Sequence, residues 1–101
     1  MMFRILPIAA ALALAGGAAS PAAATGKMTC DAPQKSWKSM AKLQSKLTKQ
    51  GWQVRKAKVD GGCYEVYGTD PQGNRVEAYF HPVSFKKLLV SRRGEVLYRA
   101  K

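Results

Sequence analysis

Between Cys63 and Phe80 the chain alternates apolar and polar positions in two runs, with Asp70-Pro71-Gln72-Gly73-Asn74 between them. Successive side chains on a strand point to opposite faces, so Tyr64 and Val66 share one face, as do Val76, Ala78 and Phe80. The Pro/Gly/Asn segment supplies turn chemistry, and the whole stretch predicts an antiparallel hairpin. A connection from Asp70 to Asn74 sets Val66 opposite Ala78 and Tyr64 opposite Phe80. That register aligns the apolar faces, whereas a slip of one residue sets them against polar ones. The opposite face of the hairpin carries Cys63, Glu65, Tyr67, Glu77, Tyr79 and His81.

Upstream the period changes. Trp37, Met40, Leu43 and Leu47 recur at three- and four-residue intervals, which predicts a helix from Ser36 to Gln50. Ser36 is the expected N-cap, and Gly51 stands where a left-handed residue closes a helix. Lys35, Lys38, Lys42, Lys46 and Lys49 follow the same intervals and form an expected basic ridge. Gln53 to Asp60 reads as a strand. Trp52 and Val54 are out of phase with Ala57 and Val59, so a bulge is expected near Arg55-Lys56. Downstream, Lys86 to Val90 and Glu95 to Arg99 bracket Arg92-Arg93-Gly94 and read as a terminal hairpin. A helix from Phe85 to Ser91 is the alternative for that stretch. The predicted fold class is α+β: one N-terminal helix packed on an antiparallel sheet of three to five strands.

The order of these segments carries a resemblance. A helix is followed by Gly51-Trp52-Gln53-Val54, then Gly62-Cys63-Tyr64-Glu65-Val66-Tyr67-Gly68. Asp70-Pro71-Gln72-Gly73-Asn74-Arg75-Val76-Glu77-Ala78-Tyr79-Phe80-His81-Pro82 comes next. From Trp37 to Val83 this is similar to the PepSY family, and most of all to its small exported single-domain members with a Gly-Cys-Tyr-Glu motif. The chain departs from the family after Pro82, where Val83-Ser84-Phe85 replaces the usual Thr-Gly turn. The resemblance implies a module of the kind found in peptidase propeptides, where it binds or restrains a peptidase.

The first residues change the picture of where the protein works. Arg4, the apolar run Ile5 to Ala15 and small residues through Ala24 read as an export signal cleaved after Ala22-Ala23-Ala24. The run is too short for a comfortable membrane span. The expected organisation is a signal peptide over 1–24, an arm over 25–35 and one PepSY-like domain over 36–101, periplasmic or secreted. A domain this small often needs a staple. Cys30 and Cys63 are expected to supply one as a disulfide in an oxidising compartment. A zinc pair or a redox pair is the rival reading. The chain has one histidine, and the two thiols lack Cys-x-x-Cys spacing.

Charge opens a second line. Seventeen Lys/Arg against six Asp/Glu give a formal net charge of +11. Such a balance attracts polyanions without naming one. Lys38, Lys42, Lys46 and Lys49, with Arg92 and Arg93, are therefore the candidate contacts to anionic lipid or lipopolysaccharide. Export argues against nucleic acid as the partner. No Walker loop, His-Glu-x-x-His or Gly-rich dinucleotide motif occurs, and no nucleophile accompanies His81. The expectation is a non-enzymatic protein with no catalytic residues, no bound metal and no cofactor. Glu65, Tyr67, Glu77 and Tyr79 are the expected contacts to a protein partner, and an exposed sheet edge is the other surface open to one.

Overall fold

A computed structural model describes residues 27–101. The expected signal peptide lies outside the described residues. The described chain holds one α-helix, α1 (Met40–Lys49), and five strands: β1 (Gln53–Asp60), β2 (Cys63–Thr69), β3 (Arg75–Phe80), β4 (Lys87–Arg92) and β5 (Glu95–Arg99). The strands form one antiparallel sheet in the order β1-β2-β3-β4-β5. The helix is not the first element of the described chain, because an arm and a 3-10 turn over Gln34–Ser36 precede it.

The hairpin has the predicted register, with Val66 paired to Ala78 and Tyr64 to Phe80. In β1 the ladder shifts between Val54 and Lys56, which puts the expected bulge at Arg55. After Pro82 the chain forms strands, not the alternative helix. Arg93 and Gly94 both have positive φ, the signature of a type I′ turn, whose twist matches the strands it joins.

The helix begins later than predicted. Its N-cap is Ser39, whose Oγ accepts from Lys42 N at 3.1 Å, and not Ser36. Tertiary contacts decide between the two serines. Lys38 N donates to Pro82 O at 3.0 Å, and Lys38 O accepts from the Tyr64 hydroxyl at 2.6 Å. Both bonds hold residues before Ser39 off the helical path. The basic ridge is shortened accordingly: Lys42, Lys46 and Lys49 lie on α1, while Lys35 and Lys38 precede it. Trp37 also leaves the helical stripe and packs edge-on against Tyr64 at 5.6 Å.

Leu43 and Leu47 from α1 are buried against Trp52, Tyr64, Val66, Val76, Ala78, Phe80, Phe85 and Val90. This is the apolar face expected of the hairpin, widened by β4. The five residues of β5 are all exposed. The other side of the sheet holds a smaller cluster of Cys63, Tyr79 and Leu89, with Met28, Cys30 and Leu88 packed on it.

Candidate functional site

The arm turns the second sheet face into an interior. Cys30 and Cys63 are joined in a disulfide, and Cys30 N donates to Gly61 O at 2.8 Å. Beneath this clip Tyr79 has no solvent exposure and Glu65 has 2 %, although β-strand alternation places both on the face expected to meet a partner. In this structure they present no side chain to one. Tyr67 and Glu77 keep partial exposure, and Glu77 forms an ion pair with Lys27 at 3.4 Å. The hairpin face is thus occupied largely by the protein's own arm. Sequence periodicity could not show this, because it assigns a residue to a face without saying what covers the face.

A polar cluster lies under the arm. The Tyr79 hydroxyl donates to Asp60 Oδ2 at 2.9 Å. The Tyr67 and Tyr79 hydroxyls lie near the Glu65 carboxyl, whose Oε1 accepts no hydrogen bond and faces Lys58 Nζ at 3.8 Å. Burial pushes the Glu65 carboxyl above its ordinary value of 4.5, against the favourable effects of the Tyr67 hydroxyl, the Lys58 charge and the Tyr79 hydroxyl. The nearby Asp60 charge pushes the same way as burial. Tyr67 is pushed up to about 12, first by burial and then by its hydrogen bond to Glu65.

The direction of the Glu65 shift has a measurable consequence. An unfolded chain releases the Glu65 proton in the ordinary carboxylate range, before the folded one does. Folding stability therefore falls as pH climbs from about 4.5 through the raised folded value. Urea unfolding across that window should show the fall, and Glu65→Gln should flatten it while being at least as stable as the parent at neutral pH. A variant that follows the parent's curve at every pH would assign the dependence to another group.

His81 serves its own turn. Its Nδ1 accepts from Val83 N at 3.1 Å, its N donates to Lys86 O, and its O accepts from Phe85 N, both at 2.9 Å. Phe85, at the end of this turn, has φ of 65° and is buried. The Lys38 and Lys46 ammonium groups lie 5.5 and 5.9 Å from its ring centroid. The expected polyanion contacts fall on different elements. Lys42, Lys46 and Lys49 are on α1 with Lys38 just before it, and Arg92 and Arg93 are at the β4–β5 turn. There Arg92 donates to Asn74 Oδ1 at 2.9 Å.

The helix side of the sheet is open toward β5. A cavity of about 430 Å³ lies between the α1 end, the β2–β3 turn and β5, with Trp52, Lys87, Leu97 and Tyr98 in its lining. A second cavity of about 210 Å³ shares Gln50, Trp52 and Lys87 with it and reaches Lys46 and Phe85. Together they form a groove with aromatic walls and lysine rims. Val96, Leu97 and Tyr98 remain 48, 41 and 41 % exposed. Sequence reasoning placed these three in a strand but did not select them. The signal was present as three adjacent large apolar residues in a terminal strand that one short helix cannot reach.

Two of the three comparisons with known proteins return nothing: no curated protein matches the chain, and no solved structure does. The third finds a PepSY family model, described as "Peptidase propeptide and YPEB domain", that matches residues 7–89. That span takes in α1, β1, β2 and β3 and enters β4. The helix, the bulged strand, the Gly-Cys-Tyr-Glu hairpin and the matched span agree, and the chain belongs to the PepSY family of peptidase propeptide and YPEB domains.

Proposed function

We propose that this protein is an exported, non-enzymatic binding domain that engages a protein partner of the peptidase class and restrains it. The observation that carries the reading is β5, an edge strand with every residue exposed, in a domain whose family is described by its place in peptidase propeptides. A free strand edge offers backbone donors and acceptors to an added strand, and neighbouring pockets select its side chains. The disulfide fits an oxidising compartment outside the cytoplasm. No helix among the described residues is long and apolar enough to cross a membrane.

The test is direct. Purified oxidised protein is titrated against peptidases secreted by the cells that make it, with binding followed by interferometry and inhibition by hydrolysis of labelled casein. Binding with dose-dependent inhibition is expected. Charge contacts at the rim should weaken at about 0.5 M salt, where screening cuts their reach to roughly 4 Å, but backbone and apolar contacts should keep binding measurable. The reading fails if no peptidase binds. It also fails if the protein instead holds anionic vesicles or lipopolysaccharide through contacts that disappear with salt and on replacing Lys38, Lys42, Lys46 and Lys49 by Gln.

A further inference from the structure

We propose that β5 and the groove beside it accept an extended acidic segment of the partner protein, an inference that rests on the reading above and names the chemistry of what binds. The two edges of the sheet differ. Both are bulged, but β1 carries Arg55, Lys56 and Lys58 with one exposed apolar residue, Val59, and lysines on an edge resist pairing. β5 presents Val96-Leu97-Tyr98 side by side, each with at least two fifths of its surface open to solvent.

β5 is also built to aim side chains. Its ladder with β4 shifts, with Val90 opposite Tyr98 and Ser91 opposite Val96, so Leu97 is an inserted residue. In a regular strand Leu97 and Tyr98 would point to opposite faces. A bulge re-aims side chains, and here both line the same groove. Lys87 Nζ sits 4.6 Å from the Tyr98 ring centroid, which places a cation at the groove rim. An added strand lies about 4.8 Å from β5. Its helix-side residues would then meet Leu97, Tyr98 and the Lys87 ammonium.

Charge selects the occupant. Along β4 and β5, Lys87, Arg92 and Arg99 are exposed and Glu95 is the one carboxylate. Asp70, at the groove's far wall, is taken up by its own turn, accepting from Gln72 N at 3.0 Å and Asn74 N at 2.8 Å. A second copy of this chain would bring another net charge of +11 to the same edge. An acidic segment gains attraction there, and apolar residues between its carboxylates fill the groove.

A fluorescein-labelled synthetic peptide alternating Glu and Val around a central Phe is the probe, with a twin carrying Lys for Glu. Fluorescence anisotropy should show binding of the acidic probe and none of the twin. Amide shift changes should centre on Val96 to Arg99 and the Trp52 indole. Val96 follows the Arg92/Glu95 pair that closes the two-residue turn, so its N–H points to the free edge. Val96→Pro and Leu97→Asp should each weaken the probe by at least about tenfold, a loss of 1.4 kcal/mol. Tyr98→Ala, which leaves the backbone intact, decides the matter if the proline variant fails to fold.

Equal binding of the twin overturns the proposal, as do shift changes that gather on Lys42 and Lys49 and spare β5. A β5-dependent dimer in sedimentation that the probe does not displace assigns the edge to a second copy and overturns it too. A peptidase that binds parent, Val96→Pro and Leu97→Asp alike removes β5 as the site and leaves the peptidase reading standing. An acidic probe that binds β5 while no peptidase binds does the reverse.

Discussion

Replacing Cys30 and Cys63 by serine should lower the unfolding free energy by about 3–4 kcal/mol, the loop-closure value for their separation of 33 residues. In a domain of this size that corresponds to a fall in Tm of roughly 12–30 °C. The effect is large because other ties on the arm are few. The Lys27–Glu77 pair is 3.4 Å long with both side chains more than a third exposed, and surface pairs of that kind contribute about 0–1 kcal/mol. The Cys30 N to Gly61 O bond contributes about 1 kcal/mol more. Without the disulfide the arm should lift from Tyr79 and Leu89, so the variant should bind more of a hydrophobic dye than the oxidised parent, whose β5 groove already offers some apolar surface. Urea unfolding followed by tryptophan fluorescence measures the first effect. A Tm change of a few degrees with no increase in dye binding over the parent would show that packing alone holds the arm.

That arm also marks where sequence reading stops. The hairpin register was legible because apolar residues on both strands had to meet, and one residue of slip would have mismatched every pair. The bulge in β1 was legible for the same reason, since Trp52 and Val54 could not share a face with Ala57 and Val59 otherwise. The helix start was not legible. Ser36 and Ser39 are chemically equivalent caps, and the choice between them rests on where Pro82 and Tyr64 lie in space. The partner face was legible as a face and illegible as a surface. Glu65 and Tyr79 alternate with core residues as solvent-facing residues do, yet both are buried, Tyr79 beneath a segment tied on from 33 residues away. The groove was hidden by the same non-local geometry, because it is bounded by the end of α1, a turn and an edge strand that no local pattern relates.

Gly62→Ala should destabilise the protein strongly, and its cost should depend on the arm. Gly62 has φ of +82°, a left-handed backbone that costs an L residue about 1–2 kcal/mol. A Cβ there would also lie 2.5 Å from Cys30 O and 3.3 Å from Cys30 C, backbone atoms that the disulfide and the Gly61 hydrogen bond hold in place. Overpacking of that kind adds about 1–3 kcal/mol, for a total of about 2–5 kcal/mol. The two contributions separate in a double-mutant cycle. In the Cys30→Ser/Cys63→Ser background the arm can withdraw, so Gly62→Ala should retain the backbone cost and lose the crowding cost. The resulting coupling energy is about 1–3 kcal/mol. Equal costs in the two backgrounds would mean that the left-handed conformation alone demands glycine at this position and that the arm is free to yield even when clipped.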